Sequence, residues 1–155
     1  DRLTGIANRF RLDEVLLQEV ERAGRYETPL SLMIMDIDFF KRVNDNHGHQ
    51  AGDAVLQEFA RLLDSNIRKS DTLGRWGGEE FLIICPGIGL EGAAQVAEKL
   101  RSRIAKHQFG PASDQTASFG VAQYLAGETP EDLVRCADQA LYRAKDNGRN
   151  RVEVS

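Results

Sequence analysis

Two acidic clusters lie where the chain changes from apolar to charged residues. The stretch RWGGEEFLII places Glu79 and Glu80 between two glycines and an apolar run. The stretch LSLMIMDID ends in Asp36 and Asp38. Adjacent like charges repel each other and resist desolvation, so a cation is expected close to them. Hard carboxylate oxygens suit Mg²⁺ or Mn²⁺, which complete their coordination with water and with the phosphates of a substrate.

The two acidic clusters are expected to meet at one end of a sheet. Side chains alternate along a strand, so Asp36 and Asp38 are predicted on the same face. Open α/β sheets bind ligands beyond their strand ends. If a hairpin around Gly77 and Gly78 packs beside that strand, Glu79 comes close to Asp36. The alternative is that these acids are solvated strand ends.

Three cationic residues elsewhere in the sequence are candidates for binding phosphate near the acidic clusters. Lys41 stands at the predicted start of a short helix, where a lysine and free backbone N–H groups can hold phosphate. Lys145 and Arg149 lie within KDNGRNR and add positive charge. A cationic pair near a helix C-terminus is otherwise an ordinary solvated partner of the helix dipole. Before any family resemblance is considered, both interpretations of this cationic pair remain open.

The predicted elements that position these residues alternate between helices and strands. Apolar periodicity predicts helices over 8–26, 52–67, 91–107 and 129–145, and strands over 30–38, 71–76, 80–86 and 116–124, with a short last strand after Gly148. Asp53 is placed to be the N-cap of the second helix. The glycine pair between two of the strands predicts a hairpin turn with positive φ, or else a close approach of backbone to a ligand. The order favours one mixed, largely antiparallel sheet flanked by helices, an α/β fold of the α+β sandwich type.

Composition limits the classes of function. The chain has 155 residues, enough for one domain, and a formal net charge of −4, which argues against binding a nucleic-acid polymer. Cys85 and Cys136 lack metal-ligand spacing, so reduced thiols and no zinc site are expected. No apolar run is long enough to span a membrane, and no signal peptide is seen. We expect a cytoplasmic segment with no membrane contact. Because the chain begins at Asp1, it is expected to be one domain, residues 1–155, cut from a longer signalling protein that could itself be membrane-anchored.

Six segments carry a resemblance to a known family. DRLTGIANR, DIDFFKRVND, GHQAGDAVL, RWGGEEF, ASFGVA and ADQALYRAKDNGRN resemble, in order and over essentially the whole chain, the GGDEF family of bacterial diguanylate cyclases. Members of that family convert two GTP molecules into cyclic di-GMP and two pyrophosphates. Their fold resembles the palm of polymerases and of nucleotide cyclases. The resemblance implies the same activity here, with Mg²⁺ or Mn²⁺ as cofactor and a homodimer of domains as the catalytic unit.

The resemblance also implies a catalytic role for the acidic residues. Asp36 would be a metal ligand, with the main-chain carbonyl of Ile37 beside it. Glu79 would be the other metal ligand and a candidate base for the 3′-hydroxyl. Glu80 would support the same site.

The implied substrate groups surround a single GTP. They are Asn44, His49 and Asp53 on guanine; Lys41, Lys145 and Arg149 with the N–H groups of Phe39 and Phe40 on the phosphates; and Gly77 and Gly78 in the turn. Each position has a structural alternative: Asp53 as an N-cap, Asn44 as a helix terminator, and His49 as a loop residue only.

A further motif lies before the glycine pair. RKSD supplies Arg68 and Asp71, which resemble the family's RxxD site for inhibition by the product cyclic di-GMP. Arginine can stack on that product and grip it with two prongs. The alternative is an ordinary surface ion pair.

Two other functions remain open at this stage. A catalytically silent GGDEF module would bind GTP or cyclic di-GMP as a regulatory receptor. A related cyclase would make a different cyclic nucleotide. No matched signature position has been lost, which favours the active diguanylate cyclase.

Overall fold

In the computed structural model, which describes residues 1–155, five strands form one sheet with helices on both faces. The helices are α1 (Arg9–Tyr26), α2 (Phe40–His47), α3 (His49–Asp64), α4 (Leu90–Lys106) and α5 (Pro130–Asp146). The strands are β1 (Leu30–Ile37), β2 (Thr72–Gly77), β3 (Glu80–Pro86), β4 (Ala117–Gln123) and β5 (Val152–Val154). A short 3-10 turn at Gly110–Ala112 was not predicted from the sequence.

The sheet is mixed and largely antiparallel, as predicted. Its strand order is β2-β3-β1-β4-β5, and only β4 and β5 pair in parallel. The central strand β1 is buried along its whole length, which explains its continuous apolar sequence. Strand β3 of the hairpin lies directly beside β1, as the proposed meeting of the acidic clusters requires.

Alternation along β1 divides the core between two layers. Met33 and Met35 pack with residues of α2, α3 and α4 on one face. Leu32 and Ile34 pack with α1 and α5 on the other. Burying each such side chain contributes roughly 1.5–3 kcal/mol relative to exposure. Asp36 follows Leu32 and Ile34 on the same face of β1, so its carboxylate lies at the end of the apolar face that packs against α5.

Helix boundaries show one wrong prediction of consequence. The second predicted helix begins at His49 instead of residue 52, and its N-cap is Gly48. Gly48 has φ 87°, a left-handed value that turns the chain sharply from α2 into α3. Asp53 therefore lies one turn inside α3 and is not its N-cap. By contrast, Thr129 caps α5 in a reciprocal capping box with Asp132.

The structure has no helix that could span the membrane and no disulfide bond. None of the five helices has both the length and the apolar composition of a bilayer-crossing segment. Cys85 in β3 and Cys136 in α5 are free thiols.

Candidate active site

A cleft opens at the end of β1, where four segments of the chain converge. It is formed by the end of β1, the start of α2, the β2–β3 turn and the end of α5. The residues lining this strand-end cleft are Asp36, Ile37, Asp38, Phe39, Phe40, Lys41, Glu79, Lys145 and Arg149. All except Asp38 were predicted from the sequence as metal or substrate residues, and the structure places them together.

Asp36 is the most perturbed acid of the cleft. Its side chain is 11% exposed and accepts a short hydrogen bond from the Lys145 ammonium. Burial raises the pKa of Asp36 from 3.8 to about 6, although Lys145 opposes the shift. The negative charges of Glu79 and Glu80 add to the increase. A buried carboxylate with a raised pKa in a cleft is typical of a functional group that awaits a cation.

Asp38 lies nearby but is fully engaged by the protein. Its carboxylate accepts hydrogen bonds from the Thr116 hydroxyl (2.6 Å), the Ser118 hydroxyl (2.6 Å) and the Asn150 backbone N–H (3.0 Å). It therefore ties β1 to β4 and to the segment after α5. Asp36 accepts a hydrogen bond only from Lys145, whereas both carboxylate oxygens of Asp38 are engaged by protein groups. Asp38 is a positioning residue that sequence reasoning did not separate from its neighbour.

The β2–β3 turn brings Glu79 to the cleft. The Ile37 N–H donates to the Glu79 carbonyl (3.3 Å), which fixes the turn against the end of β1. Arg75 Nε donates to the Gly78 carbonyl (2.9 Å) and braces the turn from outside. Sequence reasoning missed Arg75, although its place beside the glycine pair was a usable signal.

The two glycines of the turn differ in what a side chain at their positions would meet. Neither Gly77 nor Gly78 has positive φ, so the positive-φ alternative for the pair is wrong. A Cβ on Gly77 would only touch the Glu80 carboxylate at 3.6 Å, and one on Gly78 would meet no protein atom within 4 Å. The space above Gly78 is thus open from the protein side and available to a bound molecule.

Glu80 does not join the cleft. It is the Cα partner of Asp36 across the β1–β3 ladder. Its side chain lines a groove between α1 and α5, together with Arg9 and Asp138. Burial raises the pKa of Glu80, and the charge of Lys145 opposes the increase. Glu80 does not line the cleft, and it acts there through its negative charge, which adds to the increase in the pKa of Asp36.

A second pocket adjoins the strand-end cleft on the α2–α3 side. Asn44, His49 and Asp53 line it, as do Lys41 and Glu79, which also line the cleft. His49 and Asp53 are exposed at the first turns of α3. The three residues assigned to guanine by resemblance thus face one space, which we call the side pocket.

Gly52 makes the side pocket possible and was missed by sequence reasoning. A Cβ on Gly52 would lie 1.9 Å from Asn44 Oδ1 and 3.3 Å from the Phe40 ring. A larger residue at position 52 would push the Asn44 amide away from its place in the side pocket. A glycine inside a helix costs roughly 1 kcal/mol relative to alanine, and that penalty was the available signal.

The oxygen donors of the cleft fit a magnesium-like ion. Carboxylates of Asp36 and Glu79 and the main-chain carbonyl of Ile37 are hard ligands. No group of three or more His, Cys, Asp or Glu side chains forms a closed metal site. Mg²⁺ binds through one or two carboxylates, keeps water and uses substrate phosphates, so an open set is what it needs. The Lys145 ammonium on Asp36 shows that this position already accommodates a cation.

The RKSD motif lies at the other end of β3. Arg68 Nη2 donates to Asp71 Oδ1 (2.7 Å) and to the Pro86 carbonyl (2.8 Å), and Arg68 N donates to Asp71 Oδ2 (2.9 Å). Pro86 and Glu80 are the two ends of β3, so the motif lies about 20 Å from the cleft at 3.3 Å per residue. The two predicted residues therefore form an ion pair that lies apart from the cleft.

Comparisons with known proteins agree with this geometry. Residues 1–151 match the family described as "Diguanylate cyclase, GGDEF domain". Over 158 residues the chain is 45% identical to diguanylate cyclase DgcP of Pseudomonas aeruginosa, covering 100% of this chain and 24% of that protein. The chain thus spans about a quarter of the length of that relative.

Two solved structures show the same fold. The active GGEEF domain of a diguanylate cyclase from Vibrio cholerae is 40% identical with a TM-score of 0.92, over 96% of this chain and 97% of that one. The coiled coil and GGDEF domain of DgcB from Caulobacter crescentus, in complex with c-di-GMP, is 32% identical with a TM-score of 0.95, over 100% and 84% of the respective chains. The family resemblance and fold class predicted from the sequence are confirmed, and this chain belongs to the GGDEF family of diguanylate cyclase domains.

Proposed function

We propose that this domain condenses two GTP molecules into cyclic di-GMP and releases two pyrophosphates. The observation that carries the proposal is the joining of two chemically different pockets through shared residues. Lys41 and Glu79 line both the strand-end cleft, with its carboxylates and cations, and the side pocket, with its amide and carboxylate groups. A nucleotide can place its triphosphate in the first and its base in the second.

Hydrogen-bonding chemistry in the side pocket favours guanine. Guanine presents N1–H and an exocyclic amine, and both need acceptors. Asp53 offers only acceptors, and Asn44 offers an acceptor together with donors for the guanine carbonyl. Adenine presents the opposite pattern on that edge, so it would leave these groups unpaired. GTP is therefore the expected substrate in preference to ATP.

The reaction is an in-line nucleotidyl transfer. The 3′-oxygen of one GTP forms a bond to the α-phosphorus of the other, and the bond from that phosphorus to the β-bridging oxygen breaks, leaving pyrophosphate with the electron pair. Glu79 is positioned to accept the hydroxyl proton. Lys41, Lys145 and Arg149 would hold the phosphates through charge-assisted hydrogen bonds. Bound Mg²⁺ or Mn²⁺, held by Asp36, Ile37 and Glu79, would acidify the hydroxyl and neutralise charge on the leaving group.

Two copies of the domain are needed for one product. The chain has one side pocket and one strand-end cleft, so it holds one GTP. Cyclic di-GMP is two-fold symmetric and contains two equivalent phosphodiester bonds. A closed dimer, with two clefts face to face, forms both bonds with a single type of site.

We also propose that Arg68 and Asp71 bind the product. The Arg68 side chain is 47% exposed, so one face of its guanidinium remains available for stacking on a purine. The site is about 20 Å from the cleft along β3, which permits inhibition without competition for GTP. The complex of the DgcB relative with c-di-GMP supports the choice of ligand.

Product analysis tests the proposal directly. The purified protein is incubated with GTP or ATP and MgCl₂, and the products are separated by chromatography. We expect cyclic di-GMP from GTP alone, at a specific activity that rises with protein concentration. Binding of GTP without turnover would identify a silent module instead, and a cyclic product from ATP would identify a cyclase of different specificity.

A further inference from the structure

Arg149 has an unusual environment for a residue expected to hold phosphate. Its backbone has φ 64°, a left-handed value, just beyond the end of α5. No carboxylate lies within ion-pair distance of its guanidinium, and its side chain donates no hydrogen bond; its closest specific partner is the Phe39 ring, with the guanidinium carbon 4.7 Å from the ring centroid. An arginine with no anionic partner is held in place by an aromatic face.

Phe39 itself has a strained backbone conformation and is partly exposed to solvent. It has φ 54°, a left-handed conformation that is uncommon for a bulky residue, and its side chain is 49% exposed. A second guanidinium, that of Arg42, lies over the same ring at 4.0 Å and also lacks an acidic partner. Strain and exposed apolar area both cost free energy, and they persist at positions where the surrounding structure imposes them.

A hydrogen bond between the residues next to Phe39 and Arg149 joins the two segments that carry the ring and the guanidinium. Asp38 precedes Phe39 and accepts from the Asn150 N–H (3.0 Å), and Asn150 follows Arg149. The Asp38 carboxylate is also fixed by two hydroxyl groups of the β4 segment. The Asp38 side chain therefore links the segment that carries Phe39 to the segment that carries Arg149, and both of these residues line the strand-end cleft.

We propose that the Phe39 side chain is a positioning residue that holds the Arg149 guanidinium ready for the β- and γ-phosphates of the substrate. This inference rests on the proposed function of the cleft. A free arginine loses much rotamer freedom when it grips an anion, and a ring that already restricts it reduces that loss. The negative face of the ring attracts the guanidinium without neutralising it, so the full positive charge stays available to phosphate.

Binding of a non-hydrolysable GTP analogue with Mg²⁺, measured by calorimetry, tests the role of the ring. Phe39→Leu keeps an apolar side chain but removes the π face, and we expect its Kd to rise about three- to tenfold. Phe39→Tyr keeps the face and should bind within about twofold of the wild type. Binding of GMP, which lacks the outer phosphates, should change equally little in both variants.

A double-mutant cycle separates positioning from a general structural effect. Phe39→Leu should add nothing to the loss caused by Arg149→Ala, because the ring acts only through that arginine. Arg42→Ala, which removes the other guanidinium on the ring, serves as a matched control and should leave Kd within about twofold of the wild type.

The outcomes distinguish failure of this inference from failure of the proposed function. Equal affinity of wild type and Phe39→Leu, or additive losses in the cycle, would overturn the role of the ring while leaving a GTP site in place. Failure of the wild type to bind the GTP analogue would overturn the proposed function, and the inference with it.

Discussion

Two ion pairs at opposite ends of β3 differ in how well their charges are satisfied. At one end, Asp36 is buried and accepts a single contact from Lys145, and burial raises its pKa to about 6. At the other end, Asp71 receives several hydrogen bonds from Arg68, which also donates to the Pro86 carbonyl. Hydrogen bonding to Asp71 raises the pKa of the Arg68 guanidinium.

This difference indicates what each end of β3 could bind. A buried carboxylate with few partners costs free energy, and a bound divalent ion would offset that cost. The Arg68–Asp71 pair is complete without a ligand, so a product must displace some of its bonds or use the exposed face of the arginine. Catalysis is therefore expected to depend steeply on the first end, and regulation alone on the second.

The largest effect is expected from removing the anionic ligand next to Asp36. Glu79→Gln keeps the shape of the turn but loses the charge, so cyclic di-GMP formation should fall about a hundredfold or more. Thermal unfolding should show an intact fold. Glu91→Gln, at an exposed position in the first turn of α4, is the matched control and should keep full activity. Activity of Glu79→Gln above a third of the wild-type rate would contradict its assignment.

A pH effect on stability should follow from the burial of Asp36. Its pKa is raised from 3.8 to about 6, so the folded protein holds this proton more tightly than the unfolded chain. Stability contributed by the protonated form is therefore present below about pH 4 and lost as pH rises to about 6. The loss should amount to roughly 2 kcal/mol, with allowance for solvent screening.

Urea unfolding of the protein without metal or nucleotide measures this effect. The free energy of unfolding is compared between wild type and Asp36→Asn from pH 4 to pH 7. The asparagine variant cannot ionise, so its profile should lack the decrease that the wild type shows over this range. Parallel profiles would mean that Asp36 is already ionised at low pH and that Lys145 satisfies it completely.

The next largest effect is expected in the side pocket, which adjoins the strand-end cleft at the Asp36 end of β3. Asp53→Ala leaves guanine donors unpaired, at about 1–3 kcal/mol per buried group, so GTP affinity should weaken about tenfold. Discrimination against ATP should shrink as well. Because Asp53 lies inside α3 and not at its cap, the melting temperature should not fall. Asp64→Ala at the other end of α3 is the control, and GTP binding by Asp53→Ala within twofold of wild type would remove the guanine role.

The sequence was sufficient to predict the central strand and the acidic hairpin. A continuous apolar run identifies a strand buried on both faces, and the glycine pair between two short strands identifies the turn beside it. Alternation then placed Asp36 and Asp38 on one face. These features depend on local periodicity and turn chemistry, which a single sequence records.

The details that failed depend on contacts between distant segments. The partners that engage Asp38 come from residues 116–118 and 150, so nothing near it in sequence distinguishes it from Asp36. The resemblance assigned Glu80 to support the cleft, but its side chain, although on the same face of the sheet as its cross-strand partner Asp36, lines the separate groove between α1 and α5. The early start of α3 depends on a corner at Gly48 that periodicity does not detect.

The smallest effect on catalysis is expected at the Arg68–Asp71 end of β3, where the prediction concerns inhibition by the product. Arg68→Ala removes the guanidinium but no group that lines the cleft, so the initial rate should stay within about twofold of the wild type. Because the Asp71 side chain is only 4% exposed, loss of its partner should also lower the free energy of unfolding. Inhibition by added cyclic di-GMP should be lost. Arg68→Lys should restore little, because an ammonium lacks the planar, two-pronged donor set that serves Asp71, Pro86 and a purine face together. Lys69→Ala removes the same charge from the neighbouring exposed position and should retain inhibition. The test is the initial velocity at fixed GTP, measured against the concentration of added cyclic di-GMP for wild type and Arg68→Ala. Overlapping inhibition curves would mean that RKSD is only a surface ion pair and that any feedback acts at the cleft.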